Sequence, residues 1–598
     1  MVLFGLDFGT TFSSVCVYND GCLFLYKQND SAYIPTSIFL PDSSRDIKFG
    51  FDAELAFKRK LKGLYFRDLK RWVGCCEENI ANFKDKLKPL YGVHLMHYGD
   101  GSLKTVAVED YGGQISNMRI PDAIAAFVRC ILSSAEKAFE IECTGVVCSV
   151  PAGYNTIQRT FTQECVSLSG YTCNRIINEP SAAALSSVSD LEQGDQQLLV
   201  YDFGGGTFDV SAVYRVDQTF TVGASNGDMN LGGRDVDKAF SDLIKSRAGC
   251  TADGNVEVSY LKESLSKETE AIRYHFELGG ESYDVYVSQE DVYSIALPFI
   301  NRTMILLEDV VRLAGFSGDK STTLIIVGGS SYLPGLHQEL RKFRLIKRIV
   351  PIPDPRGAVA IGCALYADSM QTPNGLLLVD CASQSIGIAD FRCKMMNVCA
   401  AGSPIPYVGE KIINLLDTGP NSSFTIALFE GDSPHCRKCT RVFVSDVNLK
   451  LLGVTRNVKR FEVTVLTEVD SLGVIKCFLR GSNNVLVDTE SKPHYDFGLC
   501  SRPNRVVINS EDLDEDMAKF LLITSRTDRI RSKSRKCADD IVTTVATGCS
   551  YYEASQKHSN LISGDDANSA ELLLGRPFQG ILRGGRVKRV PIKGGGEF

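Results

Sequence analysis

The sequence predicts an α/β protein: a duplicated two-lobed region, then a β-sandwich, then a C-terminal segment of different character. Three observations predict it. A turn rich in glycine and threonine occurs twice in one strand–turn–strand context. It reads Asp7-Phe8-Gly9-Thr10-Thr11-Phe12-Ser13-Ser14-Val15 and then Asp202-Phe203-Gly204-Gly205-Gly206-Thr207-Phe208-Asp209-Val210. Strand-like and helix-like stretches alternate up to residue 371, and from 381 to 490 the apolar period is two.

Residues 2–6 and 198–201 are short apolar strands entering the two turns, and residues 14–18 and 208–213 are β-type runs leaving them. Each copy is therefore a hairpin with an acid at its entrance. Glycine lets the backbone approach a bulky anion, and its N–H groups with threonine hydroxyls can surround phosphate oxygens. The aspartate at the strand end stands where a hydrated Mg2+ would meet those phosphates. One copy alone is as readily an ordinary glycine hairpin. Two copies in the same context point to two homologous lobes closing on one nucleotide. Residues 315–321 fall short of a P-loop because Asp319 breaks the Gly-Lys pair, and no G-x-G-x-x-G follows a strand.

Between and after the hairpins, residues 121–140 carry Ile124, Phe127, Val128, Ile131, Leu132, Ala135 and Phe139 on one helical face. A buried strand at 145–150 ends at Pro151, and a helix over 298–315 is stopped by Gly315. Strand 324–327 then leads into the turn Gly328-Gly329-Ser330-Ser331. The alternation marks residues 1–371 as one α/β unit. It breaks at Gln371-Thr372-Pro373-Asn374-Gly375, and residues 372–380 read as a linker carrying Leu376-Leu377-Leu378-Val379-Asp380. Within 381–490, Phe424, Ile426 and Leu428 alternate with Thr425 and Ala427, and Phe461, Val463 and Val465 with Glu462 and Thr464, as in a β-sandwich. The segment 491–598 opens with Ser510 before an acidic turn and a helical face of Leu513, Met517, Phe520 and Leu521. Basic clusters follow, from Arg526 to Lys536 and from Arg583 to Lys593. They read either as solvated tail or as docking surfaces for RNA, virion protein or an acidic partner.

At 598 residues the chain exceeds one core, and about three to four domains are expected. A hydrophobic share of 44%, a charged share of 23% and a net charge of −7 fit a soluble globular protein and argue against a general nucleic-acid binder. The N-terminal strand contains Asp7 and is not a signal peptide, and no run of about 18 apolar residues spans a membrane. The 20 cysteines are scattered, many in apolar contexts such as Cys16, Cys130, Cys148 and Cys363, as reduced cytosolic thiols would be. His435-Cys436-Arg437-Lys438-Cys439 is half a zinc pattern without its second C-x-x-C.

The two hairpins, with Ile176-Ile177-Asn178-Glu179-Pro180-Ser181-Ala182-Ala183-Ala184 between them, resemble the 70-kDa heat-shock chaperones of the actin-like ATPase superfamily. Leu69-Lys70-Arg71, Val150-Pro151-Ala152, Asn226-Gly227-Asp228, Leu231-Gly232-Gly233 and Val327-Gly328-Gly329 match further family blocks in order. The resemblance is close to about residue 370 and weaker through the linker and Phe429-Glu430-Gly431-Asp432. It implies a duplicated actin-like fold and slow ATP hydrolysis with Mg2+. It also implies roles by position. Gly9, Thr10, Thr11, Gly204, Gly205, Gly206 and Thr207 would hold phosphates, with backbone contacts from Gly232, Gly233, Gly328 and Gly329. Asp7 and Asp202 would fix Mg2+ with Asp209 in support, and Lys70, Glu179 and Asp202 would be catalytic, positioning water and helping take its proton.

The sequence also departs from the family. Ser266, Thr269 and Glu270 align with its adenosine-holding acid and bases, Tyr332 with its arginine after the Gly-Gly turn, and Arg356 with a later acid. The peptide-enclosing loop aligns near Phe391-Arg392-Cys393-Lys394, charged where the family is apolar, and no helical lid follows. With these departures the chain is similar to the closterovirus-encoded branch of the family. That resemblance implies movement and virion assembly with viral coat or movement proteins, in host cytoplasm, at plasmodesmata and in the particle. The alternatives are a structural virion protein with a vestigial nucleotide site and a general cytosolic peptide chaperone.

Overall fold

The computed structural model describes residues 2–489 except 42–46, 76–92, 97–104, 110–114, 189–190, 192–195, 255, 268–269, 317–320, 351, 353–354, 373–374, 391–392 and 482–485. Beyond 489 it describes only the strands Lys533–Arg535, Gln579–Arg583 and Arg586–Val590, so the helix expected after Ser510 and most of both basic segments lie outside the described residues.

Two mixed sheets share one strand order. The first runs Cys173–Asn178, Gly145–Val150, Leu3–Asp7, Phe12–Asn19, Cys22–Leu25, with Ile34–Pro35 added beside Phe12–Asn19. The second runs Ile346–Val350, Thr322–Val327, Gln196–Phe203, Phe208–Val216, Thr219–Asp228, Leu377–Val379. In each, the strand entering the repeated turn pairs antiparallel with the strand leaving it and parallel with a later one. The repeat read in two short turns is thus a repeat of sheet topology.

The central strands are buried on both faces, and their period of two divides them between cores. Leu199, Tyr201 and Phe203 enter a core built with the helices Gly233–Ala248 and Gln289–Ala314. Leu198 and Val200 point the other way, into a core that also receives Leu3, Val147 and Ile177 of the first sheet. The helices Glu179–Ser186 and Ala358–Ser369 fill this shared layer. They pack so closely that a Cβ on Gly362 would stand 1.8 Å from the Ala182 carbonyl oxygen, so only glycine fits.

Two helices differ from expectation. The one expected from 121 begins at Ile120 and ends at Phe139. The one expected from Pro298 spans Gln289–Ala314, with Pro298 in its interior. A capping box sets its start, since Ser288 accepts from Asp291 N and Asp291 returns a bond to Ser288 N. The buried face of Val292, Ala296, Ile300, Leu307 and Val310 outweighs the one backbone bond that proline removes.

After Ser369 every described element is strand or short turn. Met395–Cys399, Ile386–Ala389, Ser423–Glu430 and Thr440–Asn448 form one antiparallel sheet, and Tyr407–Thr418, Val458–Val469, Ile475–Arg480 and Leu486–Asp488 most of another. Ile388, Phe424, Ile426 and Leu428 of the first share a core with Leu415, Val463, Val465 and Leu479 of the second. Leu377–Val379, within the expected linker, pairs parallel with Thr219–Asp228 as an edge strand of the second mixed sheet. Buried Asp380 then accepts from Asn178 Nδ2 at 2.6 Å and Ser181 Oγ at 3.3 Å. Glu430 of the sandwich accepts from Thr156 N at 2.9 Å.

Candidate active site

The two turns interdigitate. A Cβ on Gly205 would lie 2.3 Å from Thr11 Oγ1, and one on Gly206 2.7 Å from Thr10 Cγ2. Glycine is therefore required by close approach, which the sequence pattern alone does not disclose. The second turn is braced from behind. Gly233 N and Arg234 N donate to the carbonyls of Gly204 and Gly205 at 3.0 and 2.8 Å, and Ser330 Oγ donates to Gly204 O at 2.8 Å.

Between the turns lies a cavity of about 590 Å³. Asp7, Gly9, Thr10, Thr11, Lys70, Glu179, Asp202, Gly204, Gly205, Thr207, Gly233, Gly328 and Gly329 all line it. Of the residues expected to form the site, Gly206, Gly232 and Asp209 do not reach the wall. Gly232 backs Gly206, where its Cβ would meet Gly206 N at 2.5 Å. Asp209 stands opposite Asp202 in the hairpin register.

Lys70 and Glu179 form an ion pair, with side chains only 4% and 7% exposed. Lys70 sits on the short turn Leu69–Trp72, and Glu179 opens the helix Glu179–Ser186, whose N-terminal dipole favours an anion there. Tyr154 Oη donates to the Lys70 carbonyl at 3.4 Å, and Ser149 Oγ to Asp7 Oδ1 at 3.1 Å.

The charges do not balance. Burial, then Glu179, pushes the Asp7 carboxyl up to about 7 against the pull of Lys70 and the Ser149 bond. Burial and Glu179 push Asp209 up to about 7 as well. Asp202 is driven well above the usual carboxylate range by burial, then Glu179, Asp209 and Asp7. Burial disfavours the Lys70 ammonium, but Glu179, then Tyr154 and Asp7, hold it above its ordinary value.

Four carboxyls thus surround one ammonium. Backbone groups of Gly153 and Ala152 draw the Asp209 pKa down, yet neither of its oxygens has a hydrogen bond of good geometry. Thr11 Oγ1 is likewise buried and unbonded. Among the described residues no three His, Cys, Asp or Glu side chains are grouped to hold a metal ion by themselves, so a hard divalent cation fits this oxygen-rich set together with phosphate oxygens, beside the hydroxyls and turn N–H groups.

The remaining wall only partly matches the positions aligned in the sequence. Ser266 lines the cavity, but Glu270 does not, and Thr269 lies outside the described residues. The helix spans Ser259–Leu265, so Ser259, Lys262, Glu263 and Ser266 share the inward face and put a base and an acid on the cavity wall. Lys262 is tied to Asp237 at 2.6 Å. Opposite stand Tyr332 and Arg356, the latter with its guanidinium 4.2 Å from the Tyr33 ring centre and 6.0 Å from that of Tyr332. Sequence reading also missed Asp68, which takes a left-handed backbone (φ 53°) and meets Arg234 at 3.4 Å. This contact ties the segment before Lys70 to the helix behind the second turn. An aspartate tolerating that conformation directly before the Leu-Lys-Arg block was the available signal.

Paired glycine–threonine turns on duplicated sheets, enclosing buried acids and a Lys–Glu pair, are the arrangement that the sequence resemblance implied. The Hsp70 protein family model matches residues 3–484, and the chain belongs to that family. The family carries an actin-like ATPase fold, and its members bind ATP with Mg2+. The chain is 41% identical to the movement protein Hsp70h of Beet yellows virus (isolate Ukraine), over 99% of its own length and 100% of the relative's. It is 31% identical to the movement protein Hsp70h of Grapevine leafroll-associated virus 3, over 67% of this chain and 73% of that one. A heat shock cognate HSP70 protein of Trypanosoma brucei brucei is 28% identical over 79% and 72%. Among the described residues, no helix is long and apolar enough to cross a membrane.

Proposed function

We propose that the chain binds Mg-ATP between two lobes, hydrolyses it slowly, and serves a closterovirus in cell-to-cell movement and virion assembly. The observation that carries the reading is the buried Lys70–Glu179 pair beside three raised aspartates, where two glycine–threonine turns interlock. Phosphoryl transfer needs positioned water and neutralised charge more than covalent chemistry. Thr10, Thr11, Gly204, Gly205 and Thr207 hold the phosphates. Gly9, Gly206, Gly232, Gly233, Gly328 and Gly329 shape the backbone around them. Lys70 and Glu179 orient the attacking water, and Asp202, on the same cavity wall, helps take its proton. Mg2+, held by Asp7 and Asp202 with Asp209 in support, supplies the charge that offsets the phosphates.

In this reading residues 1–371 are the ATPase, 372–380 the linker, 381–490 the partner-binding sandwich and 491–598 a divergent region. The edge strand Leu377–Val379 and buried Asp380 give nucleotide-driven closure a route to the sandwich. The 41% identity to a viral movement protein over nearly the whole chain supports coat or movement proteins as partners, in host cytoplasm, at plasmodesmata and in the particle. The basic segments 526–536 and 583–593 are candidates for RNA or acidic surfaces. Turnover by purified protein tests the enzyme: wild-type rates from both Lys70→Ala and Glu179→Ala would overturn it. Equal particle assembly by wild type and Asp7→Ala would instead favour a structural virion protein with a vestigial site.

A further inference from the structure

We propose that the strand Cys22–Leu25, the outer edge of the first mixed sheet, takes an extended segment of a partner protein as a further parallel strand. The segment carries three consecutive aliphatic residues. The two mixed sheets share one strand order but differ at this edge. In the second sheet, Thr219–Asp228 is covered by Leu377–Val379, which runs parallel to it. In the first, no described strand lies beyond Cys22–Leu25.

The two edges begin alike. Each follows a two-residue turn that opens on an aspartate with left-handed backbone, Asp20 at φ 50° and Asp217 at φ 51°. Counted from those turns, Gly21 and Leu23 correspond to Gln218 and Phe220. Leu377 N donates to Gln218 O at 3.0 Å, and Phe220 is fully buried in one core with Leu378. The first edge has the same offer and no taker among the described residues. Tyr26 N donates to Val15 O at 2.9 Å, and bonding alternates along an antiparallel pair, so Cys22 and Phe24 bond inward to Phe12–Asn19. Leu23 therefore turns its N–H and C=O outward. A Cβ on Gly21 would meet nothing within 4 Å. Leu23 and Phe24, on opposite faces of the strand, are each 43% exposed, and Phe24 has only Phe139 near its ring, at 6.3 Å between centres. An open strand is ordinarily guarded by charge or proline, and Cys22–Leu25 holds neither. The neighbouring sheet shows which occupant suits such an edge: backbone bonds supply the affinity, and apolar side chains above and below select aliphatic residues. A charged partner would leave Leu23 and Phe24 unused.

The probe is the labelled peptide Gly-Leu-Leu-Leu-Val-Asp, the sequence of residues 375–380, added to the full-length chain without nucleotide. Anisotropy reads binding, and maleimide alkylation of Cys22, an exposed thiol on the edge itself, reads its place by peptide mass spectrometry. The peptide should bind and slow Cys22 alkylation about fivefold or more. A peptide N-methylated at the second leucine and the valine cannot donate those backbone bonds, and should bind about tenfold or more weakly. Leu23→Lys, a charge placed on the edge, should weaken the unmodified peptide by a similar factor of about ten. Equal binding of the N-methylated peptide to wild type would overturn the proposal without relying on any variant. So would binding that leaves Cys22 as reactive as before, which would place the peptide elsewhere. Cys22 that resists alkylation before peptide is added would show that this chain or a second copy already covers the edge, and would overturn it too. No readout involves ATP, so failure here leaves the ATPase reading standing, and the reverse also holds.

Discussion

Removing Lys70 tests whether its pair with Glu179 is a working device or a structural strut. Both side chains are nearly inaccessible, and the charge of Glu179 also acts on Asp7, Asp202 and Asp209. Lys70→Ala leaves the carboxylates with no described ammonium among them. Breaking a buried pair from one side typically costs about 3–5 kcal/mol, because the remaining charge is uncompensated. Removing both charged groups avoids that penalty, so Lys70→Met/Glu179→Leu should regain most of the stability lost by Lys70→Met alone. Catalysis should behave in the opposite way. If the pair orients the attacking water, the double variant stays as inactive as either single one, at least about a hundredfold below wild type. Denaturant unfolding and single-turnover ATP hydrolysis on the four proteins give both cycles. Recovery of turnover together with stability in the double variant would refute a catalytic role and leave only a strut. Equal stability of all four would refute the charge argument itself.

Three further outcomes follow from the same site. Asp7 and Asp209 titrate near 7 when folded and near 4 when unfolded, so the folded chain holds more protons in that window and its stability without ligand falls as pH rises through it. Melting temperatures measured across that range should decline, Asp7→Asn should flatten the decline, and a rise with pH would contradict the burial argument. Gly205→Ala places a Cβ 2.3 Å from Thr11 Oγ1 and 3.0 Å from Thr11 Cβ, which forces the turns apart. Nucleotide affinity by calorimetry should drop about tenfold or more, as overpacking typically costs about 1–3 kcal/mol, and unchanged affinity would show that the turns separate freely. If Tyr332 and Arg356 on the cavity wall stand in for an arginine and an acid of the family, as the sequence resemblance implies, discrimination between ATP and GTP should be weaker than in cellular members. Competition binding checks this, and strong ATP selectivity would assign base recognition to Lys262 and Glu263 on the opposite wall.

The sequence by itself determined the pieces whose chemistry is local. A turn that must admit an anion shows its glycines and threonines, and a strand buried on both faces shows a continuous apolar run, as at residues 198–201. The repetition of the turn, the acids at the strand ends and the Leu-Lys-Arg and Asn-Glu-Pro blocks were therefore legible. Only the tertiary structure decided what depends on distance between remote segments. It brought Lys70 to Glu179, set Asp209 opposite Asp202 and off the cavity lining, and made Gly205 obligatory against Thr11. It also moved the cavity-facing helix to Ser259–Leu265, because short amphipathic helices can be aligned in several phases until a cavity fixes which face is inward. The apolar stretch Leu377–Val379 has the composition of a strand and of a linker alike. Its pairing with Thr219–Asp228 was settled by an open sheet edge, whose unpaired backbone groups no local pattern records.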